Sequence, residues 1–367
     1  MLMTPVSDAT AKRRPACARR PLVAIAWAAL LLAAPCAQAQ SPGVVLNLYS
    51  ARHYPTDEAL YSSFTKATGI RVQRVDADDA GILARLKSEG SASPADVILL
   101  VDAARLWRAE VDGLFKPVKS AKLEAAIPDS LRAKVGPDGT TAWFGLSTRA
   151  RVVVYDKQRV KKDDVDTYEE LADPKHKGLF CVRSGSHPYN LSLFGSMVEH
   201  LGPQQAETWL AGLVKNMARS PKGGDTDQIR AVASGECGVA LTNTYYLARL
   251  MRSTKPEDVA VVERIGIVFP NQSTWGTHVN IAGGAVARHS KNEAAAIKFL
   301  EYLASPEAQA HFANGNNEWP AAKGLSFDNP ALKAMTGGSF KSELVPISRV
   351  GMNQVKVQKM LDRVGFK

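Results

Sequence analysis

Hydrophobic and polar positions in the first part of the chain alternate with the periods of strands and helices. Residues 44–49 form an apolar, partly β-branched run that predicts a strand, and the helix after it should begin at Thr56 and end at Gly69. Leu60 and Phe64 give that helix an apolar face. The same alternation predicts further elements: a strand at 70–75, a helix at 82–88, a strand at 96–101 and a helix at 103–112. Repeated strand–helix units predict an α/β lobe with a mostly parallel sheet that contains the uniformly apolar strand at 96–101.

The pattern changes at residue 145, where a long extended stretch runs to residue 156. A second long extended stretch is predicted at 279–286. Between them and in the tail we predict short strands at 179–183, 239–241 and 265–269 and helices at 191–201, 203–214, 226–234, 244–251, 292–304, 306–314 and 352–364. Two α/β lobes joined by two extended crossings are the layout of type II periplasmic solute-binding proteins, and by this analogy we expect a hinged inter-lobe cleft. The predicted boundaries are 40–145 for lobe 1, 146–277 for lobe 2, and 278–367 for the return to lobe 1.

The N-terminus has the order of segments found in a secretory signal. A basic stretch is followed by an uncharged apolar run at 22–34 and by an A-x-A site at 37–39, which predicts cleavage after Ala39. The apolar run is about 13 residues long whereas a membrane span needs roughly 20, so a retained membrane anchor is the weaker alternative. Arg19 and Arg20 leave the twin-arginine export route open, and Pro35 argues against lipid attachment at Cys36. We therefore expect a signal peptide at 1–39 and a mature periplasmic protein without stable membrane insertion.

Composition and charge exclude several classes of protein. Hydrophobic residues make up 45% of the 367 residues and charged residues 22%, which excludes a mainly disordered chain. The formal net charge of +10 falls partly on the predicted signal, and the other Lys and Arg residues are scattered, so we expect no nucleic-acid partner. The sequence contains no G-x-S-x-G, H-E-x-x-H or Walker motif, and we expect no enzymatic activity.

The cysteines predict one cross-link. Cys17 and Cys36 fall within the predicted signal, which leaves Cys181 and Cys237 in the mature chain. An exported protein enters an oxidising compartment, so we expect a disulfide between these two, with two buried free thiols as the alternative.

Four of the nine tyrosines stand apart because they lie beside the ends of predicted strands. They are Tyr54, which His53 precedes, Tyr189, and the adjacent pair Tyr245 and Tyr246. In α/β folds, ligands bind at the carboxyl ends of the strands. The three separated segments therefore predict a single binding site.

Clustered phenols and one histidine suit a hard trivalent cation. A phenol has a pKa near 10, but the charge of a bound metal can drive the proton off. Anionic oxygen suits Fe³⁺ better than Cu⁺ or Zn²⁺, which prefer thiolate and imidazole. Adjacent side chains diverge by about 100° inside a helix, yet at a helix start Tyr245 and Tyr246 can face one point. The structural alternative is a pair with one core ring and one half-exposed ring whose hydroxyl is hydrogen-bonded.

Several strings of residues resemble, in the same order, segments of the bacterial periplasmic ferric-iron-binding proteins. They lie at 48–54, 93–97, 101–106, 143–151, 235–237, 243–247, 269–272 and 276–280. The resemblance covers nearly all of the predicted mature chain. It implies a monomeric protein that binds Fe³⁺ between its lobes and delivers it to an inner-membrane ABC permease.

The resemblance also implies a ligand set without a carboxylate. His53 and Tyr54 would come from lobe 1, and Tyr189, Tyr245 and Tyr246 from lobe 2. A synergistic anion such as carbonate is left open.

Two arginines lie close to these ligands in sequence. Arg52 and Arg249 are candidates for the second shell or for anion binding, with solvated arginines as the alternative reading. His187 is a further possible nitrogen ligand, although a histidine before proline is more typical of a turn. The competing function is a solute-binding protein of the same fold for an organic anion or a polyamine, with tyrosines as the walls of its cleft.

Overall fold

The computed structural model describes residues 43–367, so the predicted signal peptide at 1–39 lies outside the described residues. Strands and helices alternate along this part of the chain. The strands are β1 (Val45–Ser50), β2 (Arg71–Asp76), β3 (Val97–Leu100), β4 (Phe115–Lys116), β5 (Phe144–Asp156), β6 (Phe180–Cys181), β7 (Val239–Asn243), β8 (Ile265–Val268), β9 (Val279–Ala287) and β10 (Trp319–Pro320). The helices are α1 (Asp57–Thr68), α2 (Asp79–Glu89), α3 (Ala103–Val111), α4 (Ala121–Ala126), α5 (Pro188–Leu201), α6 (Pro203–Asn216), α7 (Asp225–Ala233), α8 (Thr244–Met251), α9 (Pro256–Arg264), α10 (Glu293–Leu303), α11 (Pro306–Asn314), α12 (Pro330–Thr336) and α13 (Ile347–Val364).

The first sheet combines parallel and antiparallel pairs. β1 is parallel to both β2 and β3, whereas β3 is antiparallel to β9, and β9 is antiparallel to β5. The prediction of a mostly parallel sheet therefore holds only for β1, β2 and β3. The reason is that β5 and β9 enter the sheet as long extended crossings and not through strand–helix–strand units. β3 is buried along its whole length, as its apolar sequence predicts.

The second sheet is built on the far half of β5. Residues 151–155 of β5 pair antiparallel with β7, and residues 153–156 pair antiparallel with β8. β6 lies parallel to β7. The strand β5 thus runs from one sheet into the other, which is what the predicted first crossing requires.

Each sheet has its own hydrophobic core. The core of the first sheet includes Leu48, Phe64 and Phe299, and α10 and α11 pack into it. The core of the second sheet includes Phe194 from α5 and Leu241 from β7. The helix α13 contributes its buried apolar side chains to this second core, although its residues fall in the stretch that the sequence assigned to the return to lobe 1. The lobe boundaries at residues 145 and 277 stay predictions.

The start and end of α1 show how local sequence sets an element. Gly69 adopts a left-handed conformation with φ of 73°, and its N–H donates to the carbonyl of Thr65, as expected of a glycine stop. Thr56, where the sequence predicted the helix to begin, stands at the N-cap but makes no capping hydrogen bond, because its hydroxyl donates to Oδ1 of Asn316 at 2.5 Å. Among residues 43–367, no helix is both long enough and apolar enough to cross a bilayer.

Candidate metal centre

The five residues predicted as ligands follow the ends of three strands. His53 and Tyr54 lie after β1, and Tyr245 and Tyr246 lie in the first turn of α8, directly after β7. Tyr189 precedes the helix predicted at 191–201, but it lies in the first turn of α5, which begins three residues earlier than predicted. The helix begins early because Pro188 takes its first position and Nδ1 of His187 accepts a hydrogen bond from the Tyr189 N–H at 3.3 Å.

The five side chains meet around Tyr245. Its hydroxyl oxygen is 3.1 Å from the hydroxyl oxygen of Tyr189. Its ring centroid is 4.2 Å from that of Tyr246, 5.7 Å from that of Tyr54 and 6.4 Å from that of His53. The structure thus brings together phenols from distant parts of the sequence, since Tyr54 and Tyr245 are 191 positions apart.

Burial makes three of these phenols harder to ionise. Tyr54, Tyr189 and Tyr245 are buried, and the loss of hydration is the main cause that raises the pKa of each hydroxyl. The pKa of His53 is lowered, first because the surrounding cleft desolvates its ring and then because the guanidinium of Arg52 is close. Phenolates at this site therefore need the positive charge of a bound cation, while His53 is available as a neutral nitrogen donor.

Glu318 is the main partner that sequence reasoning missed. Its carboxylate is buried, accepts a hydrogen bond from the Tyr54 hydroxyl at 3.1 Å and from the Ser147 hydroxyl at 2.8 Å, and lies 3.5 Å from the Arg52 guanidinium. Arg52 also pairs with Asp57 at 2.5 Å. The donors of Arg52 thus face two carboxylates, while its guanidinium carbon lies 4.9 Å from the Tyr54 ring centroid. Glu318 stands in no local motif and lies 264 positions from Tyr54, so sequence reasoning gave no sign of this contact.

Further guanidinium groups surround the phenols. Arg149 is fully buried, donates to the carbonyl of Val101, and has its guanidinium carbon 5.4 Å from the Tyr189 ring centroid. Within the described residues, its Nε and Nη1 atoms have no hydrogen-bond partner. Arg183 lies 5.2 Å from the Tyr189 ring centroid. Arg249 is exposed and lies 5.6 Å from the Tyr246 ring centroid, one helical turn further along α8.

A cavity of about 830 Å³ adjoins the tyrosines. It is lined by His53, Tyr54, Tyr189 and Tyr246, and by charged side chains of both signs, which include Arg105 and Arg183 as well as the aspartates at 76, 78 and 79. His187 also lines it. The pKa of His187 is lowered to about 2, mainly by burial and then by Arg183. The cavity is large enough for a small ligand beside the ring cluster.

Within residues 43–367, no group of three or more His, Cys, Asp or Glu side chains could hold a metal ion. Zinc-type and carboxylate-rich sites are therefore absent from the described part of the chain. The donor set around Tyr245 consists of phenol oxygens, which become hard anionic donors once a cation displaces their protons, and of one imidazole. This set fits a trivalent cation.

The predicted cross-link is confirmed. Cys181 and Cys237 form a disulfide, with their Cα atoms 5.9 Å apart and both residues fully buried. Cys181 ends β6 and Cys237 precedes β7, so the bond joins the segments that lead to Tyr189 and to Tyr245.

The known proteins that are similar in sequence to this chain are solute-binding and iron-binding proteins. The model of the family described as bacterial extracellular solute-binding protein matches residues 59–335. Iron uptake protein A1 of Synechocystis is 45% identical over 335 residues, covering 91% of this chain and 91% of that protein. The major ferric iron-binding protein of Neisseria meningitidis serogroup B is 29% identical over 291 residues, covering 79% of this chain and 85% of that protein.

Solved structures agree with these relatives. A Trichodesmium protein (FutA) in complex with iron and citrate ligands is 49% identical, with a TM-score of 0.81 over 88% of this chain and 100% of that one. The ferric binding protein from Campylobacter jejuni is 39% identical, with a TM-score of 0.81 and the same coverage. These comparisons confirm the two-lobe α/β fold that the sequence predicted. They also confirm the resemblance to bacterial ferric-iron-binding proteins.

Proposed function

The chain belongs to the bacterial extracellular solute-binding protein family, and on this basis we propose that it captures Fe³⁺ in its inter-lobe cleft for transport. The ligands proposed are the phenolates of Tyr54, Tyr189, Tyr245 and Tyr246 and the imidazole of His53. The observation that carries the proposal is the meeting of these five side chains around Tyr245. As a solute-binding protein, the chain is not an enzyme.

Donor chemistry favours a hard cation over an organic solute, because four phenol oxygens and one imidazole converge on one place. Burial raises the pKa of three of these tyrosines, so their ionisation needs a strong positive charge close to the hydroxyls, which a trivalent ion supplies. Four phenolates around Fe³⁺ leave one net negative charge, which the nearby Arg149 and Arg183 offset. Arg52 would support Tyr54 by stacking on its ring, since its charge is paired with Asp57 and Glu318. The exposed Arg249 would add positive charge beside Tyr246.

The cleft arrangement suggests an order of binding. Tyr189, Tyr245 and Tyr246 all follow strands of the second sheet, so they form a preassembled half-site. His53 and Tyr54 follow β1 of the first sheet and would join when the lobes close. The proposed lobes are 40–145 with 278–367, and 146–277, and α13 packs against the core of the second sheet.

Delivery and location follow from the same family membership. We propose that the mature protein is a periplasmic monomer, exported by the signal at 1–39, and that it hands iron to an inner-membrane ABC permease. A synergistic anion, such as carbonate, would sit in the cavity beside the tyrosines, where Arg105 and Arg183 supply positive charge.

The proposal is tested by the visible spectrum of the protein titrated with a ferric chelate. Iron bound by phenolates should produce a charge-transfer band that saturates at one iron per chain. Tyr245→Phe with Tyr246→Phe should abolish the band. Tyr155→Phe with Tyr302→Phe removes two hydroxyls outside the cluster and should retain it.

Two results would contradict the proposal. A wild type that stays colourless with iron would favour the alternative, an organic anion or a polyamine bound against the tyrosines. Full colour in the Tyr245 and Tyr246 double variant would mean that iron binds elsewhere.

A further inference from the structure

A buried polar cluster lies behind the three tyrosines of the second sheet, and Asp225 is at its centre. Asp225 is the first residue of α7 and is fully buried. Its carboxylate has three partners. It accepts from Nη1 of Arg151 at 2.5 Å, from Nη1 of Arg183 at 3.3 Å and from the backbone N–H of Asn243 at 2.7 Å.

The bond to Asn243 fixes the start of α8. Asn243 is the last residue of β7 and stands directly before Thr244, the first residue of α8. It makes no side-chain capping bond to α8. Its side-chain oxygen instead accepts from Nη1 of Arg151 at 3.2 Å. The backbone that sets the direction of Tyr245 and Tyr246 is thus held by Asp225 and by its partner Arg151.

A second arm of the cluster fixes the start of α5. Nη2 of Arg151 donates to Oδ1 of Asn190 at 2.8 Å, and Asn190 directly follows Tyr189. The amide of Asn190 in turn donates to the carbonyls of Arg183 and Ser184 at 3.1 and 3.0 Å. The turn that carries Tyr189 is therefore held by the same guanidinium that Asp225 holds.

Arg183 connects the cluster to the ring itself. Its guanidinium carbon lies 5.2 Å from the Tyr189 ring centroid, and it lines the cavity beside the tyrosines. Within the described residues, Asp225 is the only carboxylate in an ion pair with either Arg151 or Arg183. One buried carboxylate thus organises two guanidinium groups and two helix starts.

We propose that Asp225 is a positioning residue for iron capture, which holds the starts of α5 and α8 so that the Tyr189 and Tyr245 hydroxyls lie together before the metal arrives. Asp225 makes no hydrogen bond to a proposed ligand and acts through Arg151, Arg183, Asn190 and Asn243. This inference rests on the proposed ferric-binding function. Groups that orient metal ligands in this way typically change metal affinity by about 10- to 100-fold when they are removed.

A positioning role and a purely electrostatic role of Asp225 predict opposite changes in iron affinity when its charge is removed. After burial, the negative charge of Asp225 is among the causes that raise the pKa of Tyr189 and Tyr245. If charge alone mattered, neutralising Asp225 would ease phenolate formation and strengthen iron binding. If Asp225 positions the tyrosines, the same substitution weakens binding and changes the geometry of the iron–phenolate bonds.

The test compares Asp225→Asn with Asp156→Asn. Asp156 is also fully buried and pairs with an arginine, Arg264, at 2.9 Å, but it is the last residue of β5, five positions beyond Arg151, which pairs with Asn243 just before the tyrosines. Iron affinity is measured by competition with citrate, and the position of the charge-transfer band is recorded for each protein. Urea unfolding of the metal-free proteins reports the stability lost by each substitution.

We expect Asp225→Asn to lose about 10- to 100-fold in iron affinity and to shift the band, while Asp156→Asn stays within about threefold of wild type with an unshifted band. Should Asp225→Asn fail to fold, Asn190→Ala carries the test with the same expected loss and shift. Equal behaviour of the variant and its control, or tighter binding by Asp225→Asn, overturns the positioning role while the wild-type band still supports iron binding. A wild type without a band overturns the proposed function and this inference together.

Discussion

Removal of the disulfide should cost stability without costing iron affinity. The perturbation is the double variant Cys181→Ala with Cys237→Ala. The two cysteines are 56 positions apart, and a cross-link that closes a loop of this length removes about 4 kcal/mol of chain entropy from the unfolded state. We therefore expect the free energy of unfolding of the metal-free protein to fall by about 4 kcal/mol.

Iron affinity should survive because the folded state does not need the bond to hold the strands. β6 and β7 remain paired, and the backbone N–H groups of Gly238 and Val239 both donate to the carbonyl of Leu179, at 2.8 and 3.1 Å. The segments that lead to Tyr189 and Tyr245 thus keep their register. We expect the affinity of the folded double variant for iron to lie within about threefold of wild type.

Urea denaturation followed by circular dichroism measures the stability difference. Wild type unfolded in excess reductant is the matched control, since it has the same atoms without the cross-link and should resemble the double variant. A loss below about 1 kcal/mol would refute the loop-closure argument. A large loss of iron affinity with the fold intact would mean that the disulfide orients the ligands directly.

Three further predictions follow from individual contacts. Iron retention in the presence of citrate should fall steeply from pH 8 to pH 4, because each phenolate must exchange its metal for a proton; full retention at mildly acid pH would contradict phenolate ligation. Burial opposes the ionisation of Glu343, but His278 and the other partners of this carboxylate lower the pKa of Glu343 to about 2. The ionised Glu343 therefore stabilises the fold fully above pH 4.5, and this stabilisation is lost as the pH falls towards 2. Glu343→Gln should therefore remove roughly 3 kcal/mol of the acid dependence of unfolding, and an unchanged pH profile would contradict this. Gly351→Ala should destabilise the protein by about 1–3 kcal/mol in urea, because a Cβ there would lie 2.5 Å from the Trp107 ring; wild-type stability would show that the ring can move away.

Local patterns were enough to predict many elements. The helices predicted at 244–251 and 306–314 have the same bounds in the structure, as α8 and α11. In both cases a residue with a clear local signal opens the helix: Pro306 stands at its preferred first position, and Thr244 follows the end of a buried strand. Strand β3 was predicted from its uniformly apolar sequence, and its burial on both faces is the physical cause of that pattern.

Contacts between distant segments could not be predicted in the same way. Glu318 reaches Tyr54 across 264 positions, and Asp225 meets Arg151 across 74. Neither carboxylate stands in a motif, and each resembles an ordinary surface acid until the fold buries it. The antiparallel pairing of β9 with β3 was missed for a related reason: the sequence of an extended segment does not show which strand it pairs with or in which direction.

The ligand set itself stays a prediction, although its geometry is favourable. The residue types and their positions after strands indicated which tyrosines to consider, and the fold brings their rings together. What a sequence pattern lacks is the burial that keeps Tyr54, Tyr189 and Tyr245 protonated until a cation binds.

The most direct test of ferric capture is a crystal structure of the iron-loaded protein, with anomalous scattering recorded at the iron absorption edge. We predict one strong anomalous peak within bonding distance of the Tyr54, Tyr189, Tyr245 and Tyr246 hydroxyl oxygens and of the His53 imidazole. An iron peak bound by surface carboxylates, or none at the tyrosine cluster in a protein shown to contain iron, would contradict the account.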